Sequence, residues 1–144
     1  MSQIIDLDPR PASKAYTPRE QVIRTPKCGA RGQLTTTSNT TAYTAPTITD
    51  PPTGSNVATS YLTSLVLCNS DSAARTVSVH LVESGGSVAA NRLILSALSI
   101  AASTTTIITF GPQGCPLDSG EFVNLVAGTA NTISYRVNVE ELTF

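Results

Sequence analysis

The sequence predicts an all-β protein: a single antiparallel β-sandwich of the jelly-roll or immunoglobulin-like kind, with about seven or eight strands and an extended N-terminal arm. Short segments of alternating apolar and polar residues follow one another along residues 32–144. Gly, Asn, Asp, Ser or Pro separates these segments, and none has the period of a long helix. With 144 residues, the chain is long enough for one domain with its own core.

Residues 1–31 are predicted to form the extended arm, and residues 32–144 the sandwich domain. Four prolines exclude a long helix in the arm: Pro9, Pro11, Pro18 and Pro26. Six basic and three acidic residues give the arm a charge of +3, whereas residues 32–144 carry −4. This opposition predicts that the arm lies along a neighbouring copy or an acidic partner. The residues expected to contact the partner are Arg10, Lys14, Tyr16, Arg19, Arg24, Lys27 and Arg31.

The strands of the domain are predicted in the following order. A β pattern over residues 32–45 and a turn-rich loop over residues 46–56 precede strands over residues 58–69, 75–83, 91–100, 104–110, 122–127 and 133–142. Residues 91–100 fit either one bent strand or two short ones. In the strand over residues 75–83, Val77, Val79 and Leu81 share one face, and His80 and Val82 lie on the other. Asn69 and Asp71 are predicted to cap a turn with their side chains.

The composition leaves two interpretations of the surface open. Only 13% of the residues are charged, and fifteen of the thirty residues over positions 35–64 are Thr or Ser. Threonine suits a pleated sheet, and its neutral side chain packs against another surface without a charge to desolvate. The composition therefore fits a protein whose faces contact neighbours. It fits equally a β-rich protein with a neutral surface.

The chain has three cysteines, so at least one is unpaired or forms a bridge between molecules. Cys68 lies in an apolar run and is predicted to be a buried, inert thiol. Cys28 and Cys115 are flanked by Gly or Pro and are predicted to be loop residues that face a partner. They are the candidate inter-subunit thiols, although a free thiol is the default state in a reducing cytoplasm.

The sequence offers no set of residues for catalysis, and we predict a protein that is not an enzyme and that uses no cofactor or metal. His80 is the single histidine, and it has no nucleophile motif to serve. Glu140 and Glu141 are adjacent on a strand and therefore point to opposite faces. Phosphate-binding glycine motifs and zinc-ligand spacing are absent. The basic residues of the arm are too dispersed to favour nucleic acid, and no apolar stretch predicts a membrane span or a signal peptide.

One series of segments resembles a known group of proteins. The segments are YTAP at 43–46, LTSLVLCN at 62–69, VSVHLV at 77–82, SGGS at 84–87, AAN at 89–91, LSIAA at 98–102 and DSG at 118–120. Over residues 33–142, the chain resembles small β-sandwich structural proteins and modules of tailed-bacteriophage virions. It departs from them in the arm of residues 1–31 and in the segment 111–117, which contains Cys115.

The resemblance implies a structural component of a virion, assembled in the cytoplasm of the host bacterium. Under this hypothesis, the chain is an accessory capsid decoration or cement protein, or a neck (collar) subunit. It would form a homo-oligomer and contact capsid, portal, neck or tail proteins through its arm. The alternative is a module of the tail tip or fibre that binds a host glycan or receptor. A small hydrolase is the third class, and no motif supports it.

Overall fold

The computed structural model describes residues 23–47 and 57–143, and these residues form nine β-strands and one turn of 3-10 helix, Ala90–Arg92. The strands are β1 (Ile23–Gln33), β2 (Thr40–Thr44), β3 (Val57–Asn69), β4 (Arg75–Val82), β5 (Leu93–Ile100), β6 (Thr105–Thr109), β7 (Cys115–Leu117), β8 (Phe122–Ala127) and β9 (Ile133–Thr143). The all-β prediction is therefore confirmed. None of the described residues forms a helix that is long and apolar enough to cross a membrane.

The strands form two antiparallel sheets, which is consistent with the predicted sandwich. Sheet A has the order β1-β9-β3-β6, and the short strand β7 also pairs with β3. Sheet B has the order β2-β8-β4-β5. Within these sheets, β1 pairs with β9, β2 with β8, β3 with β6 and β4 with β5.

Both sheets contribute to one hydrophobic core. In β3, Leu62 is fully buried, and beyond the register shift at Thr63 the buried residues Leu65, Leu67 and Asn69 follow the period of two of a strand. The same alternation buries Val77 and Val79 of β4, Leu125 of β8 and Val137 of β9 in one contiguous cluster. Each such side chain contributes about 1.5–3 kcal/mol by leaving water, so this cluster is the main stabilising feature of the domain.

The turn between β3 and β4 is held by the two predicted side chains. The Asn69 amide donates to the carbonyl oxygens of Ala73 and Ile100, at 2.8 and 3.1 Å. The Asp71 N–H donates to Asn69 Oδ1, and the Asp71 carboxylate pairs with Arg75 at 2.6 Å. This hydrogen-bonded ion pair lowers the pKa of the Asp71 carboxyl. The prediction that Asn69 and Asp71 cap a turn is confirmed.

The predicted boundary between arm and domain differs from the structure. The sequence predicts residues 23–31 as part of the arm, but they lie in β1, which pairs with β9. The predicted boundary at residue 31 therefore falls inside a strand of the sheet. The remaining residues of the predicted arm, 1–22, lie outside the described residues.

The outer side of β4 also differs from its prediction. His80, expected on the polar side, is only 9% exposed, and Val82 is fully buried. Both lie on the face of sheet B away from the core, because their partners Asn124 and Phe122 alternate with the core residues of β8. The chain folds back over this end of β4. Gly86, which follows β4, lies close to Val82: a Cβ atom added to this glycine would be 3.3 Å from Val82 Cγ1.

Residues 93–100 form one strand with a bulge, which decides between the two predicted alternatives. The register of β5 against β4 shifts between Val77 and Val79, and again between Val79 and His80. Ala97 has a φ of 43°, a conformation in which a residue with a side chain is uncommon. This bulge bends the edge of sheet B.

Candidate functional site

The face of sheet A away from the core is the candidate functional site, which we call the outer face. Register defines three consecutive rows across its strands. The rows are Arg31, Arg136, Val66 and Ile107; Cys28, Asn138, Ser64 and Thr109; and Pro26, Glu140, Tyr61 and Pro116. The intervening residues of β9 and β3, such as Val137 and Leu65, point into the core. The outer face therefore combines cations, polar groups and apolar side chains on a paired backbone.

Arg31 and Arg136 lie directly opposite each other on β1 and β9. Both side chains are exposed, and Arg136 Nε donates to Asn138 Oδ1 at 2.8 Å. Neither guanidinium forms an ion pair with a carboxylate of the described residues. Like charges in directly opposed positions destabilise a sheet. The pair is therefore an electrostatic cost in the isolated domain, and an anionic group placed beside it would reduce this cost.

A shallow groove of about 230 Å³ lies beside Arg136, lined by Pro26, Lys27, Cys28, Thr63, Arg136, Asn138 and Val139. It lies where the registers of both β1 and β3 against β9 are shifted, next to Cys28 and Thr63. Thr63 Oγ1 donates to the Asn138 carbonyl oxygen at 3.0 Å, and the Asn138 amide donates to Ser64 Oγ at 2.9 Å. Pockets for drug-sized ligands usually measure about 300–1,000 Å³. The groove is smaller than this range and close in size to a single amino-acid side chain.

Arg24 occupies the end of the outer face near the start of β1. Its guanidinium lies 3.6 Å from a Glu140 carboxylate oxygen and 5.5 Å from the centre of the Tyr61 ring. Ion pairs and cation–π contacts at exposed sites each contribute up to about 1 kcal/mol. These contacts attach the first residues of β1 to β9 and β3.

Lys27 points to the other side of β1, into a buried polar network. Its Nζ lies 2.6 Å from Glu141 Oε2, and the Glu141 residue is only 5% exposed. The Tyr43 hydroxyl donates to Glu141 Oε1 at 3.0 Å and lies 3.2 Å from Ser60 Oγ. Burial raises the pKa of Tyr43 to about 12; the Ser60 hydrogen bond opposes this, and the Glu141 carboxylate adds to it. Lys27, whose side chain is 45% exposed, therefore attaches β1 to a buried carboxylate.

The structure brings together only part of the predicted contact set. Arg24 and Arg31 share the outer face, Lys27 does not, and Arg10, Lys14, Tyr16 and Arg19 lie outside the described residues. Sequence reasoning did not single out Arg136, Tyr61 or Ile107. The alternation in β9 is the one signal that could have indicated Arg136. It makes the Arg136 side chain point away from the core, because the side chain of the next residue, Val137, points into it.

The three thiols differ from their predicted environments. Cys28 is exposed but lies in β1 rather than in a loop, and its S–H is 3.4 Å from the Ala30 carbonyl oxygen. Cys115 lies in β7 and packs against the core, where burial, together with the charge of Glu121, raises the pKa of its thiol. Cys68 is half-buried on the side of β3 that faces outward. Cys28 is thus the thiol best placed to meet a partner.

His80 and its surroundings form no second site. Its Nδ1 is buried without a hydrogen-bond partner. Asn124, its neighbour on β8, is buried, and the Asn124 amide nitrogen donates to Asn39 Oδ1 at 3.4 Å. Among the described residues, no three His, Cys, Asp or Glu side chains are grouped as metal ligands.

Comparisons with protein-family models, with curated proteins and with solved structures find no match to this chain. Its function is therefore inferred from the fold, from the outer face of sheet A and from the sequence resemblance described above.

Proposed function

We propose that this chain is a non-enzymatic structural protein of a tailed-bacteriophage virion, an accessory capsid decoration or neck subunit that docks on neighbouring subunits. The observation that carries this proposal is the outer face of sheet A. A sheet face with two opposed arginines that have no ion pair among the described residues, a small groove and an exposed Ile107 is suited to contact with another protein. Arginine is enriched in such contacts, and their fully buried centre is more apolar than the rest of a protein surface.

The strand pairing supports a jelly-roll as the type of sandwich. The pairs β1·β9, β2·β8, β3·β6 and β4·β5 are nested, as in one long hairpin that has been rolled up. Nested pairing of eight strands in two sheets is the arrangement of a jelly-roll, with β7 as an addition. Jelly-rolls occur in viral capsid proteins but also in lectins and cupins, so the fold supports the virion proposal only by analogy.

Residues 1–22 are the proposed docking segment. They lead directly into β1, the edge strand of sheet A, and contain Arg10, Lys14, Tyr16 and Arg19. The proposed partners are copies of this chain and capsid, portal, neck or tail proteins of the same particle, with assembly in the host cytoplasm. Cys28, which is exposed on the same strand, is the proposed thiol for a bridge to a neighbour.

A truncation tests this proposal, and the structure fixes its endpoint. Deleting residues 1–22 leaves β1 intact, whereas deleting residues 1–31 removes most of β1 and the Lys27–Glu141 ion pair. We expect the protein without residues 1–22 to keep its circular dichroism spectrum and to be lost from purified particles, measured by quantitative mass spectrometry.

The matched control keeps the length of the segment and changes its charge, with Arg10, Lys14 and Arg19 replaced by Gln. Partial loss of this variant from particles would assign the docking to charge, and full retention would assign it to the remaining side chains. Full occupancy by the truncated protein would contradict docking through the arm. Absence of the intact protein from particles would contradict the virion proposal itself.

The alternative of a glycan- or receptor-binding module has less support. Sugar-binding sites rely on accessible aromatic rings, and every described Tyr and Phe is buried or half-buried. Tyr61, the aromatic residue of the outer face, already contacts Arg24. Binding of the purified protein to a glycan array would favour this alternative.

A further inference from the structure

Most charged side chains of the described residues form ion pairs within the domain. Six are basic and six are acidic, and four of each form ion pairs within the domain. Three of the pairs, with separations of 3.6, 2.6 and 2.6 Å, are Arg24–Glu140, Lys27–Glu141 and Arg75–Asp71, and the fourth pair is Arg92–Glu83. Two cations and two anions of the described residues therefore remain without an ion pair.

These remaining charges form two compact groups of opposite sign. The cations are Arg31 and Arg136, which face each other across β1 and β9. The anions are Asp118 and Glu121, in the turn between β7 and β8, which we call the acidic turn. The Asp118 N–H donates to Glu121 Oε2 at 2.9 Å, and the Glu121 N–H donates to the Asp118 carbonyl oxygen at 2.9 Å. These bonds close the turn and hold the Glu121 carboxylate beside the Asp118 backbone, so the two acidic residues lie in one small region.

The two groups are too far apart to meet within one molecule. Leu117, which precedes the acidic turn, lies in the row of Ser60 and Glu141. Arg136 is five residues from Glu141 along β9, or about 17 Å at 3.4 Å per residue. Strand β7 is also three strand spacings from β1, which adds about 14 Å across the sheet. An ion pair between the two groups therefore requires two molecules.

We propose that the outer face of sheet A binds the acidic turn of a second copy of this chain, with Arg31 and Arg136 paired to Asp118 and Glu121. The charge complementarity of the two groups carries this assignment. In the same row as the arginines, Val66 is half-buried and Ile107 is 63% exposed, which supplies an apolar contact beside the charges. Because the two surfaces are different, a single contact leaves each copy with one surface unused, and this surface is filled reciprocally in a two-fold dimer or by further copies in a ring or an open chain.

Charge reversal in the purified full-length chain tests this contact. The variants are Arg31→Glu/Arg136→Glu, Asp118→Lys/Glu121→Lys and the combination of all four, followed by sedimentation velocity over a range of protein concentrations at low salt. We expect each pair of reversals to weaken association at least about tenfold, because like charges then meet at the contact. The fourfold variant should regain the affinity to within about threefold, because opposite charges face each other again.

Two kinds of control make the result specific. Arg31→Lys/Arg136→Lys keeps both charges and should retain association, whereas salt of about 0.5 M should weaken it in the wild-type chain by screening. If a reversed variant loses its circular dichroism spectrum, the neutral pairs Arg31→Gln/Arg136→Gln and Asp118→Asn/Glu121→Gln replace it. Glu121→Gln keeps an oxygen that accepts from the Asp118 N–H. Each neutral pair should then weaken association.

Three outcomes would overturn the proposal. They are a chain that stays monomeric at all concentrations, an association that the charge changes leave unaltered, and a fourfold variant that stays dissociated although it is folded. The contact is measured without any particle, so its failure is distinguishable from failure of the virion proposal. If the chain without residues 1–22 is lost from particles but still self-associates, then docking depends on the arm and self-association depends on the outer face.

Discussion

Strands β1 and β3 flank β9 in the same way, yet they are held by different forces. Both run antiparallel to β9, with ten and eleven residue pairs respectively. In β3, Leu62, Leu65 and Leu67 are fully buried in the core. Over residues 24–33 of β1, no side chain is buried. Equal backbone pairing therefore accompanies very unequal burial of apolar surface.

This difference indicates that β1 opens more easily than β3. Regions with few buried apolar contacts open with lower free energy than core strands. β1 is also an edge strand, which is where a residue such as Pro26 is tolerated, because it has no N–H to give to a ladder. A loosely attached edge strand is a suitable base for the segment of residues 1–22 that we propose to dock on a neighbour.

The largest expected effect comes from shortening a core residue of β3. Leu65→Ala should lower the free energy of unfolding by about 2–5 kcal/mol, because it removes buried methyl groups and leaves a cavity. Ile107→Ala, on the outer face, is the matched control and should change the free energy by less than about 0.5 kcal/mol. Chemical denaturation measures both. Equal effects would mean that the outer face is buried by an association already present in solution.

Removal of the Lys27 ammonium should weaken β1 selectively. Lys27→Met leaves the buried Glu141 carboxylate without its cation, at an expected cost of about 1–3 kcal/mol. The double variant Lys27→Met/Glu141→Gln should recover most of this, since Gln still accepts from Tyr43. Hydrogen exchange should accelerate in the β1 amides more than in those of β3. Uniform acceleration in both strands would contradict separate attachment of β1.

The Tyr43 hydroxyl links stability to alkaline pH. Its pKa is raised to about 12 in the folded protein, from 10.0 as the ordinary value. The unfolded chain therefore loses this proton first, so the stabilisation is complete below pH 10 and is lost as the pH rises toward 12. The expected loss is roughly 2 kcal/mol at pH 12. The difference in unfolding free energy between wild type and Tyr43→Phe, measured at pH 9 and 11.5, isolates this contribution. A difference that does not change with pH would contradict it.

The same contrast explains what the sequence could and could not predict. Strand β3 was predicted within one residue, because alternating burial leaves a period of two in the sequence. Strand β1 is exposed along most of its length and contains Pro26, so it carries no such period. The sequence predicts only one of the two opposed arginines of the candidate site. Arg31 was expected to contact a partner, but its opposition to Arg136, more than a hundred residues away, depends on the register of β1 against β9. A single sequence contains no local signal for that register.

The smallest expected effect concerns Arg24, at the start of β1. Arg24→Gln removes the ion pair with Glu140 and the contact with the Tyr61 ring, both at a partly exposed position. The expected change in unfolding free energy is about 0.5 kcal/mol, since solvent and salt screen both contacts. Hydrogen exchange should increase only in the first residues of β1. In a double-mutant cycle with Tyr61→Leu, a coupling energy near zero would show that the ring adds nothing to the ion pair. A cost as large as that of Leu65→Ala would instead mean that β1 is attached mainly at its start, and that the buried Lys27–Glu141 pair is not its principal anchor.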